Sequence, residues 1–144
     1  MQKTIKLISA NLNGLRSATK KGFLAWLATQ QADFVCVQEL KAQAADLSPE
    51  MIQTPCGLTG YFAHADKAGY SGVGVYTRRV PDAVMIGFGC EEFDREGRLV
   101  RLEFSDIRVI SVYVPSGASS PERQAAKFRF MAVFYPYLQS LLQD

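Results

Sequence analysis

The stretch Phe34-Val35-Cys36-Val37-Gln38-Glu39 constrains this chain most. Four apolar residues, two of them β-branched, follow one another without alternation and run straight into a carboxylate. A run this short and this uniformly apolar reads as a strand buried on both faces. Glu39 then falls at or just past its carboxyl end, followed by Leu40-Lys41. In open α/β sheets, ligands gather at the carboxyl ends of the strands. A poorly solvated glutamate there must find a cation, find hydrogen-bond donors or stay protonated. The plain alternative is a surface glutamate that merely follows a strand.

The flanking sequence builds outward from this strand. Met1-Gln2-Lys3 leads into a β-rich stretch, Thr4–Ala10, which ends in Asn11-Leu12-Asn13-Gly14-Leu15-Arg16. Two asparagines and a glycine in four residues are turn chemistry, because asparagine tolerates positive φ and its amide bonds to nearby backbone. Phe23, Trp26, Leu27 and Gln30 follow with helical spacing, and Ser17 or Thr19 can cap that helix. The opening therefore reads as strand, NxNG turn, helix, strand, glutamate. This resembles a βαβ unit, in a sheet that need not be all parallel.

Beyond residue 40 the pattern changes. Ser48-Pro49 starts a short helix, with serine capping and proline at its first position. Tyr61–His64, Val73–Thr77, Ala83–Ile86, Leu99–Phe104 and Val109–Tyr113 read as strands separated by short polar turns, which implies antiparallel hairpins. The last stretch is helical. Ser119-Ser120-Pro121-Glu122 has capping-box spacing, and Phe128, Met131, Tyr135 and Leu138 make an apolar stripe, with Pro136 expected to kink or break the helix.

With 144 residues, 48% of them apolar, the chain is long enough for one globular domain with a real core. Its net charge of +2 neither demands nor excludes an anionic partner. Three cysteines, Cys36, Cys56 and Cys90, form no CxxC, and with no signal-like N-terminus they point to a reducing, cytoplasmic setting. No apolar stretch approaches the ~20 residues of a membrane span.

Few residues stand out for chemistry. Glu39 is the one carboxylate set in strongly apolar sequence at a strand end. Tyr113 closes a strand and meets the turn Val114-Pro115-Ser116-Gly117, where a phenol either packs at the rim or hydrogen-bonds a phosphate oxygen. His64 is the only histidine, and neither a nucleophilic triad nor a zinc cluster has a local signature. Arg16, Lys20 and Lys21 form one basic group, and Arg95, Arg98 and Arg101 another. Cations beside aromatics such as Tyr70 suit a phosphate backbone, although a solvated face is the default.

Taken in order, Ser9–Arg16, Asp33–Lys41, Gly69–Val75 (GYSGVGV) and Val112–Gly117 (VYVPSG) resemble successive motifs of the exonuclease III-type AP endonucleases, within the endonuclease/exonuclease/phosphatase superfamily. The resemblance implies a four-layered α/β sandwich, with mixed, largely antiparallel sheet flanked by helices, each half of the fold supplying mainly one sheet. It implies Mg2+, or Mn2+ in its place, held by Glu39 with Asn11 beside it, and Tyr113 as the active-site tyrosine. Asn11 would also orient the attacked phosphate. It implies that Arg16, Gly69, Tyr70, Arg98 and the Ser116 turn meet double-stranded DNA carrying abasic sites or 3′ ends. The family continues with GDxN and SDH motifs, and neither occurs in these 144 residues. The expectation is therefore an N-terminal half whose partner is the C-terminal half of the same fold, and which alone leaves one sheet face thinly covered. The implied activity is cleavage 5′ to abasic sites and removal of 3′ nucleotides. A sibling phosphoesterase of the superfamily and a non-catalytic DNA- or partner-binding half-domain are the alternatives.

Overall fold

A computed structural model describes residues 3–143 of the chain. The expectations placed on Met1, Gln2 and Asp144 lie outside those residues. β1 (Leu7–Asn11) and β2 (Phe34–Gln38) pair in parallel, with Asn11 opposite Gln38, so their carboxyl ends share one edge. The single helix expected between them is two, α1 (Leu15–Lys20) and α2 (Phe23–Gln30). Gly22, at φ 100°, separates them in a backbone conformation that glycine adopts without a Cβ penalty. Gly14 and Gly22 hold the N-cap positions, and Ser17 and Thr19 lie inside α1.

α3 (Pro49–Ile52) starts as the Ser48-Pro49 pair requires. β3 (Thr59–Ala63) and β4 (Val73–Thr77) then complete a four-stranded sheet in the order β1-β2-β4-β3. β5 (Ala83–Ile86), β6 (Leu99–Glu103) and β7 (Arg108–Val112) form a separate antiparallel sheet. The one-turn α4 (Glu91–Asp94), which the polar sequence read as a turn, sits between β5 and β6, and α5 (Pro121–Leu141) closes the described fold.

Three apolar layers follow from this order. Phe34, Cys36, Val73 and Val75 of the first sheet face Val100, Leu102 and Val109 of the second, so the sheets pack face to face. The outer face of the first sheet, Val35, Val37 and Tyr76, is covered by Leu15, Phe23 and Leu27 of α1 and α2 and Met51 of α3. On the outer side of the second sheet, Leu99 meets Phe93 of α4 and Phe130 and Phe134 of α5. The described chain therefore holds both sheets and both helical layers. This corrects two expectations: that such a half supplies mainly one sheet, and that one sheet face stays thinly covered. Short helices were undercounted as cover, and nothing in hairpin spacing tells one sheet from two.

α5 brings a second correction. Phe128, Met131 and Tyr135 are 64%, 43% and 62% exposed, while the buried residues are Ala126, Phe130 and Phe134. Both sets have helical spacing, and the ring cluster of Phe88, Phe93, Phe130 and Phe134 decides which one packs. Pro136 lies within a continuous helix and does not break it. Among the described residues no helix is long and apolar enough to cross a membrane.

Candidate active site

The loops at the carboxyl ends of β1 and β2 are stitched together by backbone. Leu12 N–H donates to Gln38 O (3.0 Å), Gly14 to Glu39 O (2.8 Å) and Leu15 to Leu40 O (2.9 Å). Leu40 and Lys41 N–H donate in turn to Gly72 O and Ser71 O, in the loop that enters β4. Asn13, Glu39, Lys41 and Ser71 all have φ between 48° and 55°, the left-handed region that non-glycine residues rarely adopt. Four such residues on three stitched loops mark a place where the fold over-determines backbone strain, and such places cluster at active sites. Gly72, at φ 89°, completes the set: a Cβ there would come within 3.0 Å of the Leu40 side chain.

Glu39 occupies the first position beyond β2, and Tyr113 the first beyond β7. β7 lies over β2, where Ser111 Oγ donates to Val37 O (3.0 Å) and Gln38 Nε2 donates to Ser111 Oγ (3.3 Å). That packing delivers the Tyr113 phenol to Glu39, and its hydroxyl donates to Glu39 Oε1 at 2.5 Å. Burial first, and then this hydrogen bond and the Glu39 charge, push the Tyr113 phenol up to about 12, with Arg98 pulling the other way. The phenol therefore keeps its proton at neutral pH and is a donor.

Asn11 ends β1 at the same edge. Its Oδ1 accepts the Asn13 N–H (3.0 Å), an Asx turn that fixes the amide and leaves its NH2 as the donating end. Asn13 Oδ1 accepts from Lys41 Nζ (2.5 Å), and Arg16 Nη2 donates to Lys41 O (3.0 Å). Asn13, Gly14, Arg16, Ser17, Lys20 and Lys41 line an open groove of about 390 Å³ whose three ionisable residues are all basic. Lys41 was not singled out from the sequence. Its place two residues past the glutamate was the available signal.

The other predicted residues occupy a second loop cluster. Tyr70 Oη donates to Glu96 Oε2 (3.0 Å), and Gly69 beside it is exposed with φ 66°. Ser116 is exposed and accepts the Ala118 N–H (3.4 Å). Arg98 is 2% exposed: its guanidinium is turned inward, onto Glu96, Tyr70 and Tyr113. The basic group Arg95, Arg98 and Arg101 is paired with carboxylates, Asp66 and Glu91, Glu96, and Glu103 respectively, so it is not an open cationic face. His64 Nδ1 sits 2.8 Å from Ala42 O, away from the Glu39–Tyr113 pair.

Two face-to-face sheets between helical layers, with a glutamate, an asparagine and a tyrosine gathered by strand-end loops, define an α/β sandwich with a polar site at its strand ends. The chain belongs to the Endonuclease/Exonuclease/phosphatase family, whose family model matches residues 8–142. Within it, the chain is 38% identical over 142 residues to an exodeoxyribonuclease of Bacillus subtilis, covering 96% of this chain and 54% of the relative. It is 32% identical over 139 residues to a DNA-(apurinic or apyrimidinic site) endonuclease of Dictyostelium discoideum, covering 95% of this chain and 38% of that one. Its fold superposes on an AP endonuclease from Archaeoglobus fulgidus with a TM-score of 0.82 at 29% identity, over 95% of this chain and 52% of the other. The chain thus spans about half the length, or less, of the relatives it matches.

Proposed function

We propose that this chain carries the Glu39, Asn11 and Tyr113 portion of a Mg2+-dependent DNA phosphodiesterase of base excision repair, one that cuts 5′ to abasic sites and removes 3′ nucleotides or blocks. The observation that carries the reading is the Tyr113–Glu39 hydrogen bond at the strand ends. It sets a protonated donor and a carboxylate side by side on loops held rigid by backbone, in a chain whose relatives are named for cutting DNA.

The donor set fits a hard cation in part. Glu39 accepts from a neutral phenol, a contact that does not compensate its negative charge. Mg2+ is commonly held by one or two carboxylates, several waters and substrate phosphate oxygens. Among the described residues no group of three or more His, Cys, Asp or Glu gathers, so Glu39 would hold the ion, with Asn11 beside it and Mn2+ able to take the same oxygens. Bound there, the ion would supply polarisation of a phosphate oxygen and charge stabilisation at the leaving oxygen. The chain's own groups have separate tasks. The Tyr113 hydroxyl, neutral at pH 7, donates to a phosphate oxygen. The Asn11 NH2 orients that phosphate. Arg16, Lys20 and Lys41 offer charge to a neighbouring backbone phosphate. Gly69, Tyr70 and Ser116 form the second contact with the duplex, with Arg98 behind them.

On this reading the partner is a second segment of the same fold that brings the water-activating residues of the family's GDxN and SDH motifs. The setting is a reducing cytoplasm, consistent with Cys36, Cys56 and Cys90 as free thiols.

The test is cleavage of an abasic duplex and of an intact duplex, with and without Mg2+. The chain is assayed alone and mixed with the complementary segment of a relative. Mg2+-dependent cutting 5′ to the abasic site in the mixture supports the proposal. Equal cutting of both duplexes makes the protein a sibling phosphoesterase. Binding without cutting in any sample makes it a non-catalytic DNA-binding unit.

A further inference from the structure

Arg98 is the least exposed cation of the described chain for which a salt bridge is seen, with a side chain 3% exposed. Burying a guanidinium this deeply is costly unless it is paired and hydrogen-bonded, and its bonds run in two directions. Toward the surface, Nη2 donates to Glu96 Oε2 (2.6 Å) and to Tyr70 Oη (2.8 Å), and Tyr70 donates to the same Glu96 oxygen (3.0 Å). Toward the site, Nη1 donates to Tyr113 O (3.3 Å), the Tyr113 N–H donates back to Arg98 O (2.9 Å), and the guanidinium lies 5.1 Å from the Tyr113 ring centroid. Tyr113 then donates to Glu39. The buried Arg98 Nε has no hydrogen-bond partner among the described residues, so the arginine is held through its two terminal nitrogens alone.

We infer that Arg98 is a positioning residue. It ties the Tyr70 loop to the Tyr113–Glu39 pair, so that what touches Tyr70 at the surface is felt by the phenol at the site. This rests on the proposed site and assigns Arg98 no contact with the ligand. Glu96 is the counter-charge that keeps the arginine in place. Arg123, at the start of α5, approaches the same Glu96 oxygen at 4.0 Å and the Tyr70 ring at 5.9 Å. Arg98 is the member that reaches both tyrosines, because its planar fork can serve two acceptors while its face stacks on a ring. A lysine would keep the charge and lose both the fork and the face.

The experiment reads Tyr113 directly, in the chain as it exists and without DNA. With tyrosine labelled at 13Cζ, the Tyr113 resonance is assigned by its loss in Tyr113→Phe. Tyr70→Phe removes the hydroxyl that accepts from Arg98, and the Tyr113 signal is expected to move. In an Arg98→Lys background the same Tyr70→Phe change is expected to leave Tyr113 where it was. A Tyr113 signal indifferent to Tyr70→Phe, or displaced equally with and without the arginine, overturns the inference. Duplex binding across salt concentrations supplies the second arm. Arg98→Met is expected to leave the slope of log affinity against log salt unchanged, and a slope smaller by about one would make Arg98 a phosphate contact instead. If Arg98→Met does not fold, the lysine background still decides. Since the first arm needs neither DNA nor turnover, failure of the nuclease reading and failure of this coupling are separate results.

Discussion

Glu39 and Tyr113 share one hydrogen bond, and each sets the other's chemistry. Replacing Glu39 by Gln keeps the shape but removes a hydrogen-bonded charge that holds the Tyr113 phenol up at about 12. Burial, the larger cause, remains, so in Glu39→Gln the phenol should titrate lower than in wild type but still above its ordinary 10. An alkaline absorbance titration against Tyr113→Phe reads this. A phenol unmoved by the substitution would mean that the two groups do not interact in solution. Linkage gives a second check. A folded-state value raised above the unfolded one contributes stability that is fully present below pH 10 and lost as pH rises through 12. Tyr113→Phe should therefore flatten the fall of stability between pH 10 and 12, measured by urea melts. Cys36, pushed by burial from 9.0 to about 11, supplies alkaline loss that this variant leaves in place. In the assay proposed above, Glu39→Gln should cost orders of magnitude in activity and raise the Mg2+ requirement, since the cation loses the site's one central carboxylate. Unchanged turnover at low Mg2+ would remove Glu39 from the ligand set.

Among the elements, what the sequence could show and what it could not have distinct physical causes. β2 was legible because FVCVQ has no polar position that could face water, and the structure covers both its faces. β4 and β5 were legible to the residue, and Glu39 and Tyr113 were placed at their strand ends because apolar runs stop there. The convergence of those two ends was not legible. It depends on β7 lying over β2, a packing between separate sheets that no local pattern encodes. The break at Gly22 was missed because the apolar spacing on either side suits one helix. On α5 two apolar stripes competed, and only the aromatic cluster beneath the helix chooses between them. That choice can be measured. Phe130 is fully buried among three other rings, so Phe130→Ala should cost about 3–5 kcal/mol, the range for emptying a core phenylalanine site. Phe128, 64% exposed on the opposite stripe, should cost within about 0.5 kcal/mol as alanine. Denaturant melts of the two variants decide, and equal losses would return Phe128 to the core.

For the molecule as a whole, the faces of the sheets are closed and the edges are open. Three apolar clusters run through the described chain, and the middle one joins the sheets across Phe34, Val75, Val100 and Leu102. Because that cluster draws on both sheets, neither can unfold without exposing the inner face of the other. The chain should therefore melt in one cooperative step, with circular dichroism in the far and near ultraviolet tracing coincident transitions. Edges are another matter. β1 is paired on one side by β2 and alternates exposed and half-buried positions, with Leu7 50% exposed. β5 is paired by β6 alone and exposes all four of its residues, Val84, Met85 and Ile86 among them. Strands with a free side and apolar side chains are templates for further pairing, and a charge on the edge blunts them. At rising concentration the chain should then associate without losing its fold, by edge pairing. Leu7→Lys and Ile86→Lys place a cation on each edge in turn and should lower association, read by sedimentation velocity, with melts unchanged within about 0.5 kcal/mol because both positions are exposed. If both variants associate as wild type does, the sticky surface lies elsewhere, and the outer stripe of α5 around Phe128 and Tyr135 becomes the face to test.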